Sequence, residues 1–174
     1  MYLDQTETER LRIRPLQESD IKAWAKFFEG NESLKFFAFY PNQPAEEKAR
    51  KWIEKQLWRY KENLFGHLAL TDKKTGELIG QCGLLLQEVD GKPEIEIGYH
   101  VLPEFWGKGL ATEAAKALKQ FAWDNAVSDS LISIIHVDNI RSQRVAEKNG
   151  MQRTIKTEFQ GKPVYIYRIA NPEK

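Results

Sequence analysis

The sequence predicts an α+β fold: a mixed, mostly antiparallel central sheet of about seven strands, flanked by about four helices. Three observations predict it. Residues 67–70, 78–86 and 94–101 are strand-like runs joined by the short glycine-containing turns DKKTG and DGK, which is the pattern of an antiparallel meander. Residues 101–115, VLPEFWGKGLATEAA, then pass through a glycine turn into a helix, and the β-branched run 131–137 follows that helix. A strand reached by a helical crossover of this length lies parallel to the strand before it. Finally, two more strands, 152–159 and 164–169, flank the turn QGKP and close the chain.

Taken in order, residues 10–14, RLRIR, alternate strictly and end at Pro15, as suits a strand with one buried face and its arginines outward. Ile21, Trp24, Ala25 and Phe28 recur at i, i+3, i+4 and i+7, with Glu18 and Asp20 near the helix start, where negative charge is favourable. The aromatic run FFAFY, 36–40, is expected to fold onto the core as a loop, to wall an acceptor pocket, or both. Pro44 opens a second helix, with Glu46 and Glu47 in its first turn and Ala45, Ala49, Trp52, Ile53, Gln56 and Tyr60 on one face. Its many lysines, arginines and glutamates are expected to form a solvated face rather than a binding strip. In the long helix Leu110, Ala111, Ala114, Ala115 and Leu118 share a face, and a short helix over 139–148 stops at Asn149-Gly150.

Length and composition bound the function. The 174 residues suit a single domain spanning 1–174, and 26 basic against 25 acidic residues leave a formal charge of +1, so no global field for nucleic acid exists. No run is long and apolar enough to span a bilayer, and the start, MYLDQTETER, has no apolar signal core; the expectation is a cytoplasmic protein with no membrane partner. The single cysteine, Cys82, excludes an intramolecular disulfide and a cysteine-cluster metal site, and no metal is expected; in a strand-like run it reads as packing.

The glycine turn carries the chemistry. A helix start leaves backbone N–H groups without partners and adds partial positive charge, and glycines on both sides of Lys108 remove the Cβ atoms that would keep a phosphate away. With no Lys-Ser or Lys-Thr pair after the last glycine and no six-residue dinucleotide pattern, this is neither a P-loop nor a dinucleotide fingerprint.

Four segments, LRIRPL, GELIGQCGL, IEIGYHVLPEFWGKGLATEA and DNIRSQRVAEKNGM, occur in an order that resembles the GNAT superfamily of acyl-CoA-dependent N-acetyltransferases, most closely its ribosomal-protein N-terminal (alanine/serine) acetyltransferase subgroup. The resemblance spans most of the chain. It departs at Trp106, where the superfamily usually has Gln or Arg and the subgroup often has an aromatic.

That resemblance implies a splayed parallel strand pair, opened by a bulge, with acetyl-CoA in the cleft between the strands ending at Val101 and Val137. Backbone N–H groups of Trp106, Gly107, Lys108, Gly109, Leu110, Ala111 and Thr112 would hold the pyrophosphate, and groups near Tyr99, His100 and Val101 would pair with pantetheine amides. It also implies that Asn139 contacts the pantetheine arm. Ser142, one turn later on the same face, either stabilises the departing thiolate or is simply tolerated on a helix facing the cleft. The implied reaction is direct attack of a primary amine on the thioester, which needs a proton acceptor. Glu94, Glu96 and His100 alternate on one strand face, against Ile95, Ile97, Tyr99 and Val101 on the other; Glu96 is the first choice, with Glu94, His100 or water as alternatives. The acceptor is expected to be a protein N-terminus, or otherwise a polyamine, antibiotic or amino acid; a non-catalytic acyl-CoA-binding module is the competing class. A homodimer and the use of longer acyl-CoAs are left open.

Overall fold

The meander forms where its turns require. In the computed structural model, which describes residues 6–37 and 42–172, strands β1 (Thr6–Glu7) and β2 (Leu11–Arg14) precede helices α1 (Ile21–Ala25) and α2 (Ala45–Lys61). Strands β3 (His67–Asp72), β4 (Leu78–Val89) and β5 (Lys92–Val101) follow, then α3 (Leu110–Asp124), β6 (Ser130–His136), α4 (Ile140–Lys148), β7 (Gln152–Phe159) and β8 (Lys162–Ala170). The sheet has eight strands in the order β1-β2-β3-β4-β5-β6-β8-β7, with β5 and β6 parallel and the other neighbours antiparallel. The strand beyond the expected seven is the two-residue β1, too short to show a periodicity.

Turn chemistry sets the two long hairpins. Asp90 and Gly91 (φ 50° and 75°), like Gln160 and Gly161 (φ 51° and 72°), occupy the left-handed region at both central positions, as a two-residue type I′ turn demands. Lys162 and Pro163 therefore belong to β8 rather than to the turn. The first amphipathic segment is not one helix: 3-10 turns at Glu18–Asp20 and Lys26–Phe28 flank the five residues of α1, yet Ile21, Trp24, Ala25 and Phe28 are all buried as the spacing predicts.

Two cores lie on opposite faces of the sheet. Leu110, Ala114, Ala115, Leu118 and Ala122 of α3 pack on Leu11, Ile13, Leu68, Leu70, Ile97 and Val101, and Cys82 is buried in the same cluster. On the other face Trp24, Phe27 and Phe28 pack with Ala49 and Ile53 of α2 against Ala69, Leu78 and Leu102. Strand alternation decides which side chain faces which helix: Ile97 and Val101 face α3, while His100 faces α2, with its ring 5.0 Å from that of Trp52.

Candidate active site

The site begins where β5 and β6 part. These strands register at Glu96 opposite Ile132; beyond that point β5 stays with β4 as far as Val101, while β6 stays with β8 as far as His136. Side chains take over from the ladder. Ser133 Oγ donates to Ile97 O at 2.8 Å, and the Ile134 backbone bonds the Glu96 carboxyl. The register of β4 with β5 is unbroken from Gly80–Val101 to Val89–Lys92, so the expected bulge is absent from that pairing.

Two cavities open on this split, of 370 Å³ and 360 Å³. They share Phe37, Tyr99, His100, Asn139 and Ser142 in their walls. The first continues over Glu96 and beneath α2. The second runs past Val101 and Trp106 to Gly107, Gly109, Leu110, Ala111 and Thr112, with Arg141, Arg144 and Lys148 of α4 opposite.

At the start of α3, Gly107 (φ 75°) and Gly109 (φ 77°) hold left-handed conformations, and no side chain caps the helix. Added at Gly107, a Cβ would meet nothing within 4 Å; at Gly109 it would meet Arg10 Nη2 at 3.6 Å. Two residues of this turn are engaged within it. The Trp106 N–H bonds Pro103 O at 3.1 Å, its indole Nε1 donates to Val101 O at 2.8 Å, and the Arg141 guanidinium lies 4.1 Å above its ring. Lys108 turns its ammonium over the Phe105 ring, 5.0 Å from the centroid, and its carbonyl accepts from Arg10; it does not line the cavity. Trp106 and Lys108 thus brace the turn, and Val101 O is already engaged. Glu113, in the first turn of α3, accepts from Thr8 Oγ1 and from the Arg10 N–H and Nε, which fastens the β1–β2 connection to the helix.

Asn139 caps α4, its Oδ1 accepting the Ser142 N–H at 3.3 Å. Gln143 steadies this entrance by donating to Val137 O at 2.8 Å. Ser142 is held at both ends of its peptide unit, since its carbonyl accepts the Tyr99 hydroxyl at 2.7 Å, and its side chain lines both cavities.

The three candidate proton acceptors separate clearly. Glu94 forms a two-pronged ion pair with Arg168, at 2.6 and 3.0 Å, which occupies both of its oxygens. His100 is enclosed by aromatic rings, 5.6 Å from Phe27, 4.9 Å from Phe37 and 5.1 Å from His67, and burial pulls its pKa down to about 4. Glu96 is surrounded by protein but keeps one edge open to the first cavity. Burial pushes its carboxyl above the ordinary carboxylate range, opposed by hydrogen bonds from Gln87 Nε2 at 2.7 Å and from the Ile134 backbone. His67, beneath them, is held neutral, well below the usual histidine range, by burial first and by His100 second; among the described residues neither of its ring nitrogens has a hydrogen-bond partner. Gly98 makes room for it, because a Cβ there would sit 3.0 Å from His67 Nε2 and 2.8 Å from Leu85 Cδ1.

Several site residues carry no signal in the sequence. Gln87 reaches Glu96 only through the β4–β5 register, and Arg141, Arg144 and Lys148 look like any solvated helix face until α4 is placed across the cleft. The same holds for α2. Lys48, Lys51, Lys55 and Arg59 line the first cavity, so part of what reads as a solvated face is a cavity wall. Of the aromatic run, Phe36 and Phe37 line that cavity, and Phe37 also packs against the core; residues 38–40 lie outside the described residues.

A sheet split by a parallel pair, with an uncapped glycine-flanked helix start at its mouth, defines an acyltransferase architecture. The profile of the acetyltransferase (GNAT) domain family matches residues 10–152, and the chain belongs to that family of N-acetyltransferases. Its relatives include the uncharacterized protein YkkB of Bacillus subtilis (strain 168), 28% identical over 92% of both chains. Among solved structures, a putative ribosomal-protein-serine acetyltransferase from Vibrio cholerae superposes with a TM-score of 0.81 at 17% identity, over 98% of this chain and 100% of that one. A ribosomal L7/L12 alpha-N-protein acetyltransferase in complex with coenzyme A superposes with a TM-score of 0.77 at 18% identity, over 94% of this chain and 95% of that one. At these identities the two structures bear on the fold. No helix among the described residues is long and apolar enough to cross a membrane.

Proposed function

We propose that this chain transfers an acetyl group from acetyl-CoA to a primary amine, most simply the N-terminus of a protein, by direct attack with both substrates bound. The observation that carries this reading is the pair of cavities meeting at Tyr99, His100, Asn139 and Ser142: two substrates entering from opposite faces of the sheet would meet there.

The second cavity suits coenzyme A by its donors. The uncapped N–H groups at the start of α3 donate to the oxygens of a pyrophosphate, and Arg141, Arg144 and Lys148 present cations to the same space. Open space at Gly107 lets a phosphate approach the backbone. Acetyl-CoA supplies the activated acyl group. Asn139 orients the pantetheine arm, and Ser142 Oγ donates a hydrogen bond to the sulfur as negative charge develops on it. Glu96 takes a proton from the acceptor's ammonium group, directly or through water, and so frees the lone pair that attacks the thioester carbon. Its raised pKa brings it closer to the range a base at neutral pH requires. Nitrogen-to-carbon bond formation and carbon-to-sulfur cleavage then leave an amide; of the two protons the ammonium group gives up, one rests on Glu96 and returns to solvent, and the other goes to the departing sulfur, which leaves as the thiol.

The test is free-thiol release from acetyl-CoA with and without a panel of N-terminal peptides and small amines. Amine-dependent release with mass-spectrometric detection of the acetylated amine supports the reading. Coenzyme A binding without amine-dependent release would support a binding module instead.

A further inference from the structure

The first cavity has a charge that the proposed reaction does not explain. Lys48, Lys51, Lys55 and Arg59 recur at i, i+3, i+7 and i+11 on α2, and Lys162 of β8 stands in the same wall. Among the described residues Glu96 is the one acidic side chain lining this cavity, against those five cations. Neither Lys48 nor Lys55 has a carboxylate within 4.0 Å among the described residues; the ion pairs of α2 join Glu46 to Arg50 and Glu47 to Lys51. Lys55 is partly desolvated and crowded by Arg59, both of which hold its pKa below the ordinary lysine range.

The strip is fixed in place. The neighbouring positions Trp52, Gln56 and Tyr60 fasten α2 to the sheet: Trp52 Nε1 donates to Gln81 Oε1 at 2.6 Å, the His67 N–H donates to Gln56 Oε1 at 2.9 Å, and the Tyr60 hydroxyl bonds His67 O. Helical geometry then turns the adjacent arc, with its four cations, toward the cavity.

A protonated amine is itself a cation, and this wall repels it. We propose that the acceptor carries negative charge next to its amine, as an N-terminal segment with Asp or Glu at its following positions, and that the α2 strip selects it by docking those carboxylates while the amine goes down to Glu96. This rests on the acyl-transfer reading and names the chemistry of its acceptor. The acceptor's carboxylates offset the repulsion, and the excess of cations speeds encounter with an acidic segment.

The test compares peptides identical except at positions two to four: acidic, amide-isosteric (Asn and Gln) and basic, with free glutamate as a further arm. The acidic peptide should exceed its amide isostere in kcat/KM by about tenfold or more, the size of two or three partly screened ion pairs. That preference should shrink in 1 M salt, where the screening length falls to about 3 Å. Lys55→Glu, at an exposed helix position, should erase the preference and improve the basic peptide. Peptide binding, read by fluorescence in the same variants, follows the charge effect without turnover, so a failed reaction and a failed selectivity are distinguishable. Equal binding and equal rates for acidic and amide peptides, or a preference that Lys55→Glu leaves intact, would overturn the proposal, as would acetylation of glutamate with no peptide bound.

Discussion

Gln87 Nε2 donates a 2.7 Å hydrogen bond to Glu96 Oε2 across the β4–β5 ladder, where Gln87 faces Glu94 and Glu96 faces Leu85. The two are diagonal neighbours on one face of the sheet. The bond favours the ionised carboxylate, while burial favours the neutral acid, so Gln87 sets how far the Glu96 pKa is raised.

Gln87→Leu removes that bond and should move the Glu96 pKa further up. If Glu96 is the base, kcat/KM falls as pH drops through that pKa, so the acidic limb of the profile should shift to higher pH while the alkaline plateau is largely kept. A pH profile of kcat/KM checks this. A lower plateau with an unmoved limb would make Gln87 purely structural.

Glu94→Gln should behave in the opposite way. Its carboxylate is committed to Arg168 in a partly buried pair, so the substitution should lower stability by about 1–3 kcal/mol and leave the shape of the pH profile unchanged. Denaturant unfolding and the same kinetic profile read both parts.

His100 makes stability pH-dependent. Its folded pKa, about 4, lies below the ordinary value of 6.5, so between these the unfolded chain binds the proton more tightly. The neutral ring's contribution is complete above about pH 6.5 and is lost as pH falls toward about 4, at up to about 1.4 kcal/mol per pH unit. Glu96 slopes the other way, because its raised pKa makes the folded state the tighter proton binder above the ordinary carboxylate value. The difference between the native protein and His100→Phe, which keeps an aromatic ring beside Phe27 and Trp52, removes the Glu96 contribution. The variant should lose less stability on acidification; parallel curves for the two proteins would contradict this.

Gly109→Val should abolish most of the thermal stabilisation given by coenzyme A. The backbone at φ 77° disfavours any side chain by about 1–2 kcal/mol, and the new methyl groups would cover the N–H groups at the start of α3. An undiminished ligand-induced shift would place the pyrophosphate elsewhere.

How much of this was legible in the sequence follows from the range of each signal. The alternation of Glu94, Glu96 and His100 against Ile97 and Val101 is local, and it gave the face of β5 correctly. Two-residue turns such as Asp90-Gly91 announce themselves through glycine, although the readings DGK and QGKP run one and two residues too long, since Lys92 begins β5 and Lys162 begins β8. What escaped was relational. That Glu94 is paired and Glu96 is not depends on Arg168, 74 residues away, and on β8 lying beside β6. Likewise Lys48, Lys51, Lys55 and Arg59 share an arc that periodicity can identify, but only the placement of α2 over the split sheet shows that the arc faces a cavity. The resemblance places Asn139 at the pantetheine arm, whereas its capping bond to the Ser142 N–H is visible only in the structure.

Ser142→Ala should lower kcat more than it raises KM for acetyl-CoA, since a bond to a developing thiolate is strongest in the transition state. An unchanged kcat with a raised KM would assign the hydroxyl to ground-state binding.

The base assignment is tested most directly by the pH dependence of kcat/KM for Glu96→Gln, with His100→Gln as its control. Removing the charge while keeping the shape should reduce kcat/KM by about a hundredfold at neutral pH, within the range for one positioned base, and the deficit should shrink as rising pH delivers more acceptor amine already deprotonated. His100→Gln should be milder and leave the profile unshifted. Near-normal rates for Glu96→Gln across neutral pH, with collapse of His100→Gln, would contradict the account and move the proton transfer to the histidine.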